Sequence, residues 1–158
     1  MSEPTRRRVG IVSVTCGERV VLVEPSNIYG CTIGDDTFVG PFVEIQKDVA
    51  IGRRCRIQSH SFICELVTIG DNCFVGHGVM FINDTFATGG PARGRKELWR
   101  STLIGDGVSI GSNATIMPVK IASGCVIGAG AVVTKDLSVA GVYVGNPARL
   151  VRTLPAQS

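Results

Sequence analysis

From Ile33 to Phe81 the chain reads, in sixes, IGDDTF VGPFVE IQKDVA IGRRCR IQSHSF ICELVT IGDNCF VGHGVM F. An aliphatic residue opens every hexad: Ile33, Val39, Ile45, Ile51, Ile57, Ile63, Ile69 and Val75, with Phe81 next in line. Ile and Val are 35 of the 158 residues. Eight such positions in one register therefore arise by chance on the order of once in a hundred thousand. Glycine often follows (Gly34, Gly40, Gly52, Gly70, Gly76), and the fifth place of each hexad is small or branched, as at Thr37, Val43, Val49, Cys55, Ser61, Val67, Cys73 and Val79. A period of six fits neither a helix of 3.6 residues per turn nor the two-residue alternation of a flat sheet. It fits a short strand and a tight corner, repeated. The branched residue points inward, glycine is expected to supply unusual backbone angles at the corners, and the second small residue faces the same narrow interior. Stacked coils of this kind bury a continuous core and pair each strand with those above and below.

The ladder stops after Phe81 and resumes at Ile104, Ile110 and Ile116; it then skips a residue and continues at Ile121, Ile127 and Val133. This spacing predicts three parts: an N-terminal strand cap over residues 1–21, with a strand pair around Cys16-Gly17-Glu18, a repeat domain over 22–152, and a tail over 153–158. The stretch from Pro147 onward is expected to fold back or form a short helix. Residues 85–103 form the one long loop, carrying Gly89-Gly90-Pro91, Arg93, Arg95, Lys96, Arg100 and the single Trp99. A long excursion from a strict ladder points to function; a solvated basic loop is the plain alternative.

Composition excludes several classes. Hydrophobic residues are 44% and charged residues 18%, too apolar for disorder and too poorly charged for a coiled coil. The formal net charge of +3 is spread along the chain, without the basic stripe and stacking aromatics of a nucleic-acid binder. No apolar run approaches the ~18 residues of a membrane span. Arg6-Arg7-Arg8 before Val9 to Val14 imitates a secretory leader, but Gly10, Ser13, Thr15 and Gly17 interrupt the run and Glu18-Arg19 end it, so it reads as a strand. The six cysteines contain no CxxC pair and only two histidines are present. Free buried thiols in a cytoplasmic protein, with no metal, are the expectation.

Four segments are more specific than the repeat: Gly40 to Gln46, Ile57 to Cys64, Gly76 to Asp84, and Gly128 to Asp136 with the ending Gly145-Asn146-Pro147-Ala148-Arg149. On the ladder and these segments the chain resembles the hexapeptide-repeat acyltransferases over residues 22–152. The resemblance implies an all-β fold, a left-handed parallel β-helix of triangular cross-section, in which three hexads make a coil and residues 18 apart stack. Within that family the string Gly-His-Gly-Val-Met-Phe-x-Asn-Asp resembles the branch that acetylates amino groups of nucleotide-linked sugars, in enzymes making 3-acetamido sugars for bacterial surface polysaccharides. The Gly-Asn-Pro-Ala-Arg ending is shared far more widely.

Stacking by 18 places Glu44, Phe62 and Met80 in one column and Gln46, Cys64 and Ile82 in another; Ser59 stacks with His77, His60 falls beside His77, and Cys55 neighbours Cys73 as two small hydrophobes. Glu44, Gln46, Gln58, Phe62, Met80 and Asp84 become the candidate substrate residues, offering a sugar short, rigidly placed partners; Glu44 and Gln46 as solvated corner residues, and Asp84 as a turn cap, are the alternatives. Acyl transfer needs an uncharged nucleophile, a polarised thioester and an exit for the proton. His60 and His77 are the two candidate bases. The resemblance ranks Asn83 first, as the residue that holds the sugar's amine, with no dedicated base required. It also implies acetyl-CoA as donor, a homotrimer with shared sites, Ala114 and Ala131 letting the pantetheine arm approach the backbone, and Lys135 and Arg149 meeting its phosphates.

Two departures matter. Residues 85–103 hold no histidine, unlike the galactoside and serine acetyltransferase branches, and Thr85-Phe86-Ala87 stands where several amino-sugar enzymes carry Tyr-Pro. A γ-type carbonic anhydrase on the same fold needs three histidines and is excluded. A hydroxyl acceptor, which makes a histidine base mandatory, and a non-catalytic scaffold are the remaining rivals.

Overall fold

The computed structural model describes residues 3–5 and 9–154, so the Arg6-Arg7-Arg8 run and residues 155–158 lie outside the described residues. Short parallel strands wind into a β-solenoid of about seven coils with three faces. The first face stacks β1 (Ile11–Val12), β4 (Asn27–Tyr29), β7 (Glu44–Ile45), β10 (Phe62–Ile63), β13 (Met80–Phe81), β16 (Thr115–Ile116) and β19 (Val132–Val133). The second stacks β2 (Thr15–Cys16), β5 (Thr32–Ile33), β8 (Ala50–Ile51), β11 (Val67–Ile69), β14 (Thr102–Ile104) and β17 (Lys120–Ile121). The third holds β3 (Val21–Leu22), β6 (Phe38–Val39), β9 (Arg56–Ile57), β12 (Phe74–Val75), β15 (Ser109–Ile110), β18 (Val126–Ile127) and β20 (Gly141–Val144). The tail folds back as β21 (Arg149–Thr153), antiparallel to β20.

The ladder residues are the core. Ile28, Ile45, Ile63, Phe81 and Ile116 stack inward on the first face with no exposure. The solenoid starts a coil earlier than the ladder indicates: of the expected strand cap over 1–21, the stretch from Ile11 onward is a coil of the solenoid, because β1, β2 and β3 pair in parallel with β4, β5 and β6. The reason is a side one residue short. Ile11 to Cys16 and Ile28 to Ile33 span five residues, so these coils repeat by 17 (Ile11 opposite Ile28, Cys16 opposite Ile33) and Cys16 replaces an aliphatic rung. The same shortening at Ile116 to Ile121 is the skipped residue of the second ladder. The loop ends at Ser101, two residues before the expected boundary, since Thr102 already pairs with Val67.

The glycines after the ladder residues serve close approach. A Cβ on Gly52 would sit 2.6 Å from the Gly70 carbonyl carbon, and one on Gly34 2.7 Å from that of Gly52. The positive φ values at the corners belong largely to other residues, among them Asp36, Phe42, Asp48, Arg54, His60, Leu66 and Asn72. The expectation that ladder glycines supply the corner angles is corrected accordingly. Short polar side chains tie the corners instead: Asp71 Oδ1 accepts from Arg53 N at 2.8 Å, and Asp106 Oδ1 from Asp71 N at 2.7 Å.

Thr37, Cys55 and Cys73 occupy one inward column and each donates to a glycine carbonyl of the next coil, at 2.9 Å to Gly52, 3.1 Å to Gly70 and 3.1 Å to Gly105. The cysteine thiols substitute for a hydroxyl in that column. All six cysteines are free and only Cys16 is exposed; burial pushes the Cys31 thiol up to about 11 and that of Cys64 to about 12. Titration of the native protein with an aromatic disulfide is therefore expected to find one fast thiol per chain, Cys16, with the others reacting only in denaturant. A second fast thiol would mean that the solenoid opens readily.

Candidate functional site

The first face carries the candidates on its outward positions and on its two long edges. Phe62 lies opposite Glu44 and Met80, as the stacking by 18 requires, and Thr115 continues the same row. Pro25, Asn27, Phe42 and Glu44 line a shallow open pocket at the lower end of this face.

One edge, between the third and first faces, holds Gln58, His60 and His77. His60 is an exposed corner residue with φ of 64°, its ring stacked on Phe42 at 5.0 Å. His77 Nδ1 lies 2.9 Å from Ser59 Oγ, which leaves Nε2 directed away from the coil below. If the Ser59 hydroxyl accepts from Nδ1–H, Nε2 is a free base; if it donates, Nε2 carries the proton. His60 and His77 sit on neighbouring coils of this edge but make no hydrogen bond to each other among the described residues.

The other edge, between the first and second faces, gathers a polar cluster around Asn83. Gln46 Nε2 donates to Glu44 Oε1 at 3.0 Å, Gln46 Oε1 accepts from Glu65 N at 3.3 Å, and Asn83 Nδ2 donates to the Glu65 carbonyl at 3.2 Å. Lys96, from the loop, meets Glu65 Oε2 at 2.5 Å and lies over the Trp99 ring at 5.2 Å. Tyr29 joins the group from the coil below; burial, with Glu44 and Glu65 adding to it, raises its phenol above the usual range and keeps it a neutral donor. Because Asn83 Nδ2 is held by a carbonyl, its Oδ1 is the free end, and among the described residues no side chain donates to it. Glu65, Lys96 and Tyr29 were not singled out from sequence as site residues. Glu65 was within reach of the repeat, standing 18 before Asn83; Tyr29 stands 17 before Gln46, in the coil whose short side breaks the count.

The loop is built on the residue after Asn83. Asp84 Oδ1 accepts from Phe86 N at 3.0 Å and Oδ2 from Ala92 N at 2.6 Å, so both oxygens close the loop. The turn-capping alternative describes Asp84 here. Arg100 N donates to the Asn83 carbonyl at 2.9 Å, and Lys96–Leu98 form a single 3₁₀ turn between.

Ala114 and Ala131 are fully buried on the inward column above Val79, with their amides bonded to Gly111 and Gly128. Neither side chain lines an outer groove; the outside receives only their backbone. Lys135, two residues past the Val133 rung, stands on the Asn83 edge two coils up, about 10 Å along the stack. Arg149, opposite Val144, is exposed near the histidine edge of the last coil. Among the described residues no group of His, Cys, Asp and Glu could hold a metal ion, and no helix is long and apolar enough to cross a membrane.

A three-faced parallel solenoid with one loop hung beside an edge cluster is the frame of the hexapeptide transferases. Two family models match it: one for bacterial transferase hexapeptides over residues 30–65, and one for the hexapeptide repeat of succinyl-transferases over 66–80 and 102–135. Together they take in more than half of the chain and leave the loop between them. The chain belongs to the hexapeptide-repeat acyltransferases. Among solved structures it is similar to a single-residue variant of AntD, an N-acyltransferase from Bacillus cereus in complex with dTDP and coenzyme A (21% identity, TM-score 0.79, covering 90% of this chain and 84% of that one). It is also similar to the polySia-specific acetyltransferase NeuO (22%, 0.58, 93% and 79%). A third is VCA0836 from Vibrio cholerae O1 biovar eltor, a hexapeptide-repeat acetyltransferase complexed with acetyl-CoA (23%, 0.52, 88% and 70%). At these identities the likeness is one of fold.

Proposed function

We propose that the protein transfers an acetyl group from acetyl-CoA directly to the amino group of a UDP- or dTDP-linked amino sugar, in a site shared between subunits of a homotrimer. The observation that carries this reading is Asn83, its Nδ2 fixed on the Glu65 carbonyl and its Oδ1 left as an acceptor beside the polar cluster. A substrate N–H donates to Oδ1, which aims the nitrogen lone pair at the thioester carbon. The C–N bond forms, the C–S bond breaks, CoA leaves as the thiolate, and the proton shed by the new amide nitrogen passes to it or to solvent. Lys96 pairs with Glu65, which leaves Glu44 as the carboxylate of the cluster without a cation and weakens the pull toward the ammonium form. Cys64, on the coil next to that of Asn83 and one residue before Glu65, is buried with its thiol held neutral, which favours direct transfer over an acyl-cysteine.

What supports the nucleotide-linked acceptor is AntD, which binds dTDP and CoA; what supports the acetyl donor is VCA0836 with acetyl-CoA. Gln46 and Glu44 are the partners for sugar hydroxyls in this reading, with Phe62 and Met80 as an apolar row beside them. Lys135 and Arg149, one at each edge of the last coils, are the cations for donor phosphates, and the backbone over Ala114 and Ala131 is what a pantetheine arm would meet.

His77 and Asn83 bracket the extended Val79 to Ile82 segment and lie on different edges, on the order of 15–20 Å apart. Within one subunit they cannot serve the same acetyl transfer. The Ser59–His77 contact favours one second reading, a sugar hydroxyl acceptor with His77 as base. A CoA-release assay with acetyl-CoA separates the two, run on UDP- and dTDP-linked amino sugars and their hydroxyl counterparts. Turnover confined to amines is expected; turnover on the hydroxyl sugars that disappears in His77→Ala would transfer the case to the second reading.

A further inference from the structure

We infer that the loop carries a diphosphate site: the basin formed by Thr88, Gly89, Gly90, Pro91, Arg93 and Arg95 takes the diphosphate of the sugar nucleotide whose amine meets Asn83. This rests on the acceptor class proposed above and names the part of the chain that would recognise it.

Charge is the first argument. Residues 85–101 hold Arg93, Arg95, Lys96 and Arg100 against the single acid Glu97. Lys96 is consumed by Glu65, and among the described residues no carboxylate pairs with Arg93, Arg95 or Arg100. Arg93 and Arg95 line one basin with no carboxylate paired to either, an arrangement that an anion would relieve, and a planar guanidinium matches two phosphate oxygens at once.

Shape is the second. Gly90 has neither a positive φ nor any atom within 4 Å of where a Cβ would stand. Neither backbone strain nor packing calls for glycine there. What Gly90 contributes is bare backbone, open to a close-lying anion. Arg95 is already oriented, with its Nη2 donating to Thr88 Oγ1 at 3.4 Å and its Nε to the Ala92 carbonyl at 3.4 Å.

Position is the third. Asp84 clamps Ala92 at 2.6 Å and Phe86 at 3.0 Å, and Arg100 N is bonded to the Asn83 carbonyl. The basin is thereby fixed to the backbone of Asn83. In a nucleotide-linked sugar the diphosphate leaves the anomeric carbon, a few bonds from a ring amine, so one ligand can hold both points. CoA also carries a diphosphate, but its candidate cations Lys135 and Arg149 lie on the last coils, with Lys135 about 10 Å along the stack from Asn83 and Arg149 on the opposite edge.

Calorimetric titration of the full chain with UDP, dTDP and CoA decides the matter. The proteins to compare are the parent, Arg93→Gln/Arg95→Gln, Gly90→Val, which adds bulk without changing charge, and Arg56→Gln, which removes a distant cation. The expected result is that the double variant and Gly90→Val bind the nucleoside diphosphate at least about tenfold more weakly, with CoA unchanged, and that Arg56→Gln matches the parent. Unchanged nucleotide affinity in the double variant overturns the site while leaving the acceptor class intact. Loss of CoA affinity in place of nucleotide affinity also overturns it, moving the basin to the donor. A parent protein that binds CoA but neither UDP nor dTDP removes the acceptor class, and the site with it.

Discussion

Asn83→Ala is expected to lower kcat on the amino-sugar acceptor by about 100-fold, with acetyl-CoA affinity unchanged. The substitution removes the one acceptor atom that the Glu65 carbonyl leaves free and takes nothing from the core, since Asn83 is half-buried and its backbone carbonyl still receives Arg100 N. Asn83→Asp is the informative companion. It keeps the oxygen but replaces the donor to Glu65 with a second carboxylate oxygen, beside a cluster that already contains Glu44 and Glu65. The added charge draws the amine in as ammonium, so binding is kept while attack is slowed. In His60→Ala and His77→Ala the pH profile of kcat/KM should follow that of the parent, because in the proposed direct transfer the titrating group is the substrate's own amine. A profile that loses its acidic limb in either histidine variant, with Asn83→Ala nearly as active as the parent, would assign the work to that histidine.

The solenoid itself is plain in the sequence because its core is one-dimensional. Every ladder residue from Ile33 to Phe81 meets the same environment, so a single period carries the fold and even the pairing of Glu44, Phe62 and Met80. What the period hides is any coil whose side is shorter. The first coil, Ile11 to Leu22, escapes because Cys16 stands on a rung and its sides count five and six. Tyr29 is lost from the site for the same reason. The edge cluster was half legible: Asn83, Glu44 and Gln46 stand in segments more specific than the repeat, and Glu65 lies 18 positions before Asn83. Lys96 was not legible as a partner of Glu65, since 31 residues and an irregular loop separate them and no period relates a loop to a rung. The inward direction of Ala114 and Ala131 was legible, being the fifth place of their hexads, and agrees with their burial.

The largest stability effect is expected at Phe81. It is the one aromatic residue in the inward stack of the first face among the described residues, between Ile63 and Ile116, and has no exposed surface. Truncating Phe81 to Ala removes the largest of the fully buried side chains and leaves a cavity whose walls are paired strands, which collapse poorly; the cost is about 3–5 kcal/mol. Phe81→Leu keeps the branching and much of the volume and should cost clearly less. Urea unfolding at one fixed protein concentration, comparing midpoints at similar slope, measures both. The site argues for an effect beyond stability. Phe81 stands two residues before Asn83, and the rung it fills is the last one before the chain leaves the solenoid, so it sets where Asn83 emerges. Under conditions where Phe81→Leu is still fully folded, its kcat should therefore fall while its affinity for acetyl-CoA stays. A Phe81→Ala protein within about 1 kcal/mol of the parent would mean that this layer relaxes around the gap. A folded Phe81→Leu enzyme with parental kcat would mean that the Glu65–Lys96 and Asp84–Ala92 contacts alone hold Asn83 in place.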